Sequence, residues 1–152
     1  APPAIIEKLE IVKQSTDLCA PVFNQFIAAR YMEKGYFDKN IERIKINYRN
    51  KRDNMMAAFE KYMPKGVTWT NPEGGLFLFV TLPEGFDASE LFRIAVEKDV
   101  AFVIGEAFHC DGSGKNTLRI NFSYMEESRA EEGVRRLADS IRQMMENKKA
   151  KG

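Results

Sequence analysis

The sequence predicts an α+β fold, a small sheet covered by helices. Three observations predict it. Apolar residues recur at helical spacing from Ile5 to Tyr62. The period then shortens to strand-like runs in "VTWT" (67–70), "GLFLFVTL" (75–82), "VAFVI" (100–104) and "TLRINF" (117–122). Helical spacing returns between the two strand pairs and again at the C-terminus. The order is therefore three helices, two strands, a helix, two strands and a helix.

Pro2-Pro3 suits the start of the first helix, because proline is tolerated in a first turn. Ile5, Ile6, Leu9 and Val12 supply its periodicity. A second helix is expected over 21–34, stopped by Gly35. The third is long, with Phe37, Ile41, Ile44, Tyr48, Met55, Phe59 and Tyr62 in one stripe that ends before Pro64. "NPEGG" has the turn chemistry to separate the first two strands. "DASELFRIAVEKD" begins with a capping box, Asp87 as N-cap and Glu90 three residues on. Leu91, Phe92, Ala95 and Val96 are its expected core side. The last helix is expected over 126–147, carrying Ala130, Val134, Leu137, Ile141 and Met144. The basic tail "NKKAKG" (147–152) is expected to fray.

At 152 residues the chain can bury a core. With 44% hydrophobic and 30% charged residues its composition is that of a globular protein. A net charge of +1 gives no global field toward nucleic acid or an anionic membrane. No apolar run approaches the roughly 20 residues of a membrane span. The two cysteines, Cys19 and Cys110, are too few for a disulfide scaffold and suit a reduced, cytoplasmic protein. Because the chain opens "APPAIIEK" without methionine, it is expected to be processed or cut from something longer.

"HCDGSGKNTLRINFSY" (109–124) offers two cations for chemistry, the loop lysine and the strand arginine. A phosphate-cradling loop needs glycine five residues before the Gly-Lys pair and a hydroxyl after it. His109 and Asn116 occupy those positions, and the loop leads into a strand rather than a helix. It reads as a connector. His109, the single histidine, reads as a loop residue, and one histidine with two cysteines makes no ordinary zinc site. Arg119 differs. Alternation places Leu118, Ile120 and Phe122 on one face and Thr117, Arg119 and Asn121 on the other. A guanidinium held on a strand can grip a carboxylate through two parallel hydrogen bonds. An ordinary solvent-facing arginine has the same spacing. Arg52, near the apolar stripe of the long helix, is expected to snorkel.

Pro72-Glu73-Gly74-Gly75-Leu76-Phe77, then Gly105 to Phe108, then Asn116 to Phe122, occur in an order that resembles class I/II aminotransferases of fold type I. Within these, the chain is most similar to the group of 2-aminoadipate and other broad-specificity enzymes. The resemblance covers the whole chain and implies the mostly antiparallel small domain of such an enzyme. It implies that residues 37–152 are that domain with its connecting helix, and that residues 1–36 join it to a cofactor domain. It also implies pyridoxal 5'-phosphate as cofactor, an amino acid and a 2-oxo acid as substrates, and a homodimer. Arg119 matches the arginine that binds the substrate α-carboxylate. Gly74, Gly75 and Asn121 are candidates for shaping the site.

One departure matters. The family's Schiff-base lysine lies in a Ser-x-x-Lys stretch followed by Pro-Gly-x-Arg, and this chain contains neither. The chain alone is thus expected to be inactive and to hold no cofactor. Two alternatives stay open, a stand-alone module binding a carboxylate or a protein, and part of a lyase of the same fold.

Overall fold

A computed structural model describes residues 1–150. The chain divides into two compact units, Ala1–Lys45 and Ile46 onward. The division falls inside the long helix, where the boundary implied by resemblance lies at 36/37.

The first unit is helical. Helix α1 spans Pro3–Thr16, with proline in its first turn, and α2 spans Val22–Glu33. Gly35, at φ +68°, ends α2 as expected. Helix α3, Tyr36–Tyr62, starts in this unit and continues into the second. Neither α1 nor α2 buries a residue. Along α3 the expected stripe is buried only in its C-terminal half. Phe37 is exposed, Tyr48 packs partly against the core, and Met55, Ala58 and Phe59 are fully inside it.

The second unit holds the sheet. Strands β1 (Thr68–Trp69), β2 (Phe77–Thr81), β3 (Val103–Ile104) and β4 (Thr117–Asn121) lie in the order β1-β2-β4-β3, antiparallel throughout. Helix α4 is Ala88–Val96 and α5 is Glu127–Lys149. One face of the sheet presents Leu78, Val80 and Leu118, which pack with Phe59 of α3, Leu91 and Ala95 of α4 and Val134, Leu137 and Ile141 of α5 in one core. This is the α+β architecture that the change of period predicts.

Several details differ from expectation. Only two residues of "VAFVI" are strand, because Phe102 turns in to stack edge-on against Phe92 of α4. Val96 is 48% exposed; the spacing of Ala88, Leu91 and Ala95 carries the buried stripe past it. Asp87 caps α4 by accepting from the Ser89 N–H at 2.7 Å. Among the described residues the reciprocal bond from Glu90 is not formed. The next amide, that of Ala88, donates to the Lys115 carbonyl at 2.7 Å. Helix α5 continues through Lys149, and the last two residues of the tail lie outside the described residues. Ser140, wholly buried on α5, is satisfied by donating to the Arg136 carbonyl.

Candidate functional site

Arg119 occupies the centre of the sheet. Its strand β4 lies between β2 and β3, and Arg119 stands opposite Phe79 on one side and Val103 on the other. The face is not the purely polar one that β4 alone suggests. Register adds Phe77, Phe79 and Thr81 from β2 to Thr117, Arg119 and Asn121. The 3-10 turn Gly105–Phe108, which follows β3 directly, adds the Phe108 ring.

The guanidinium carbon of Arg119 lies over two aromatic rings, 4.0 Å from the centroid of Phe77 and 4.6 Å from that of Phe108. Such contacts attract a cation through the ring quadrupole. Among the described residues Arg119 enters no salt bridge. Its Nε is buried and has no hydrogen-bond partner. A buried donor left unpaired costs about 1–3 kcal/mol. A charged group so placed is a built feature of the sheet and is short of an acceptor.

A close contact between backbones fixes the Phe108 ring. Gly105 is buried, and a Cβ there would lie 2.7 Å from the Thr117 backbone carbonyl. Only glycine lets the 3-10 turn press onto β4. Phe108 in turn stacks edge-on against Phe79, with centroids 5.7 Å apart.

The glycine loop is a connector. Asn116 pairs with Leu82 through the main chain and donates its side-chain amide to the Leu82 carbonyl, each at 2.8 Å. The Lys115 side chain is exposed. His109 packs its ring against Gly114, where any Cβ would collide with it, and its Nδ1 lies 3.0 Å from Ser113 Oγ. Asp111 caps the same loop, and its hydrogen bonds from Ser113 hold its carboxyl below the usual range. These residues close a turn, and Cys110 is exposed beside them.

The other candidates divide. Gly75 has φ +79°, a conformation that favours glycine, while a Cβ at Gly74 or Gly75 would meet open space. Both belong to the turn before β2 and make no close backbone approach among the described residues. The Asn121 Oδ1 accepts from Ser123 N, Ser123 Oγ and Tyr124 N, at 2.9, 3.0 and 3.1 Å. That oxygen is committed to the turn after β4. Arg52 does more than snorkel. It donates to the Pro72 carbonyl at 3.0 Å and pairs with Asp53, while its neighbour Lys51 reaches the carbonyls of Ser123 and Tyr124. Helix α3 thereby ties down the loops at one end of the sheet. No single-strand pattern marks Phe77 and Phe108 as neighbours of Arg119; register across β2 and β4 brings them together. Among the described residues no cluster of acids, histidine and cysteine is placed to hold a metal.

The second unit is thus a four-stranded antiparallel sheet with three helices on one face and, on the other, a central arginine that enters no salt bridge among the described residues. Residues 1–137 match the sequence model of the family described as aminotransferase class I and II. The chain belongs to that family. It is 50% identical over 145 residues to an aromatic-amino-acid aminotransferase of Thermococcus litoralis, covering 95% of this chain and 35% of that protein. The crystal structure of a multiple-substrate aminotransferase from Thermococcus profundus superposes with a TM-score of 0.88 at 51% identity, over 95% of this chain and 36% of that one. An α-aminoadipate aminotransferase from Thermus thermophilus, solved with N-(5'-phosphopyridoxyl)-L-leucine, gives a TM-score of 0.87 at 38% identity, over 95% and 37% of the two chains. The chain thus spans little more than a third of the length of these relatives.

Proposed function

We propose that this chain is the substrate-side portion of a pyridoxal 5'-phosphate-dependent aminotransferase, and that Arg119 holds the α-carboxylate of its amino-acid and 2-oxo-acid substrates. The observation that carries the reading is the central guanidinium of Arg119, which among the described residues enters no salt bridge. A carboxylate supplies what is missing, since its two oxygens match two N–H groups of the planar fork. Each charge-assisted bond contributes about 1.5–3 kcal/mol. The surrounding Phe77, Val103 and Phe108 side chains, each partly open to solvent in this chain, would shed water when substrate arrives and strengthen the pair. Membership of the family supports the same reading.

The residues present do not fit the coenzyme itself. Attaching it takes a lysine whose amine gives up its proton, which burial or a neighbouring cation promotes. Among the described residues no lysine is buried. Lys51, half-buried, is occupied by two carbonyls. Lys61 is pushed above its ordinary range by hydrogen bonds with Tyr62 and Glu131. The attachment is therefore assigned to the remainder of the full-length protein, and the chain by itself is expected to be inactive. Its own part is to bind and orient the substrate.

Helices α1 and α2 are assigned, in the same reading, to the seam with the cofactor domain, within a cytoplasmic homodimer. The support is their surface. Ile5, Leu9, Val12, Phe23, Phe26 and Ile27 are each more than half exposed, and exposed apolar side chains gathered on one segment mark an interaction surface.

The test is amino transfer by the full-length protein supplied with pyridoxal phosphate, an amino-acid donor and 2-oxoglutarate. The expected product is glutamate in step with loss of the donor. Elimination or decarboxylation products without glutamate would contradict the reading.

A further inference from the structure

Resting on the reading of Arg119 as the carboxylate group, we infer that Phe77 and Phe108 are positioning residues. They hold the guanidinium so that its outer Nη–H groups stay free for substrate. The argument begins with what surrounds a charged side chain inside a fold. A buried or half-buried arginine is ordinarily fixed by an acid, which occupies the same N–H edge that a substrate carboxylate needs. Among the described residues no acid does so. The fixing contacts are ring faces, at 4.0 Å for Phe77 and 4.6 Å for Phe108. A ring attracts the cation through its π cloud and consumes no N–H donor. The charge is thus held in place without being neutralised.

The two rings reach Arg119 from both flanks of its strand. Phe77 comes from β2, the neighbour on one side, one diagonal step along the ladder from the Phe79–Arg119 pair. Phe108 comes from the 3-10 turn that follows β3, the neighbour on the other side. The Gly105-to-Phe108 turn acquires a purpose from this. Gly105 lets the turn press on Thr117, and the turn then sets Phe108 over the guanidinium, with Phe79 bracing the ring. Two motifs that look independent in the sequence, one ending in Phe77 and one in Phe108, converge on one side chain.

The role differs from a packing role in a measurable way. If the rings only filled space, leucine would serve nearly as well, and the effect of losing a ring would not depend on Arg119. If they orient the fork, the loss appears in substrate binding and vanishes once the arginine is gone. The experiment is steady-state kinetics of the full-length protein with pyridoxal phosphate, L-tyrosine and 2-oxoglutarate, for Phe77→Leu, Phe108→Leu, Phe108→Tyr and Arg119→Ala. Phe108→Leu is also combined with Arg119→Ala, and melting temperatures are recorded for all variants. Each leucine variant is expected to raise KM about three- to tenfold with kcat within about twofold, in line with the strength of a cation–ring contact. Phe108→Tyr should restore KM to within about twofold. In the Arg119→Ala background, Phe108→Leu should change KM by less than about twofold.

A KM unchanged by both leucine variants, while Arg119→Ala raises it, overturns the positioning role and leaves the carboxylate reading standing. The same holds if tyrosine fails to rescue, or if the Phe108→Leu effect persists undiminished without the arginine. If Arg119→Ala itself leaves KM unchanged, the carboxylate reading falls and this inference with it. Because Phe77 and Phe108 are 40% and 47% exposed, a leucine at either leaves the core intact, and Phe77→Leu provides an independent second reading.

Discussion

In the unit Ala1–Lys45, α1 and α2 bury none of their residues, although Ile, Val, Phe and Leu are as frequent there as in the sheet region. From Ile46 onward many of the same residue types enter one core, with Phe59, Leu78, Leu118 and Ile141 all at 0% exposure. The difference lies in partners. Strands β2 and β4 pair with each other and offer a face that α3, α4 and α5 cover from within the chain. The apolar residues of α1 recur at helical spacing, and neither α1 nor α2 has such cover among the described residues. Local spacing is enough to mark a helix, whereas burial, and with it most of a helix's stability, requires a second surface. Hydrophobic periodicity therefore reports where a helix forms more reliably than it reports what the helix packs against.

The same substitution made in both units should give the widest contrast. Phe59→Ala in this chain is expected to cost about 3–5 kcal/mol in denaturant unfolding, as a large cavity in a closed core does. Phe23→Ala, at a side chain 74% exposed, should change stability by no more than about 0.5 kcal/mol. In the full-length protein the Phe23→Ala cost should rise above about 1 kcal/mol, because that side chain is then covered. Equal small costs in both proteins would break the assignment of α2 to a seam.

Hydrogen exchange sharpens the comparison by backbone position. Isolated helices of this length are marginal in water. Amides of α1 and α2 in the separate chain should exchange at rates near the unprotected limit, while those of β2, β4 and the middle of α5 exchange only through global unfolding. Uniform protection from Ile5 through Lys34 in a monomer would contradict this.

Two glycines give a smaller contrast. Gly105→Ala forces a Cβ into the Thr117 backbone and should cost about 1–3 kcal/mol, the range of an overpacked site. Gly35→Ala has open space, so its cost should be limited to the strain of φ +68°, about 1 kcal/mol.

The smallest effect concerns acid. Hydrogen bonds from Arg135, then Arg136, lower the Glu132 carboxyl to about 2. A depressed carboxyl stabilises the fold above its unfolded pKa, near 4.5, and that contribution is lost as pH falls toward 2. Glu132→Gln should flatten the decline in melting temperature between those values, modestly, because the site is solvent-exposed and screened. An unchanged slope would show that the pairing has no weight in solution.

Much of the architecture could be read before the structure, because the period of the apolar residues changes where the chain changes from helix to strand. That Phe77–Thr81 and Thr117–Asn121 are strands follows from alternation, and the capping aspartate of α4 follows from local hydrogen bonding; that the two strands pair does not. Alternation sets Arg119 opposite Leu118 and Ile120, as it would an ordinary surface arginine, and the resemblance carried by Asn116 to Phe122 is what singles it out. The surroundings of Arg119 could not be read. Alternation in β4 suggests a polar face, and only register with β2 reveals Phe77 beside it. Gly105 stands in a motif of the resemblance, but the physical reason for a glycine there is not legible in local sequence. Its φ is ordinary, and its need for glycine arises from Thr117, a residue distant along the chain. Arg52 shows the same limit, since its acceptor at Pro72 belongs to a loop that periodicity does not place.

The most direct measurement compares the two cations of the segment 109–124 in the full-length protein with pyridoxal phosphate, by kcat/KM for amino-acid turnover. Arg119→Ala removes two charge-assisted bonds and should lower kcat/KM by about 10²–10⁴, much of it through raised KM because the carboxylate is present in ground and transition states alike. Arg119→Lys should recover only part of the loss, since an ammonium lacks the planar fork. Lys115→Ala, at an exposed side chain in a connecting loop, should be nearly silent. If Lys115→Ala reduces turnover more than Arg119→Ala does, the loop carries the chemistry and the assignment of the strand arginine is wrong.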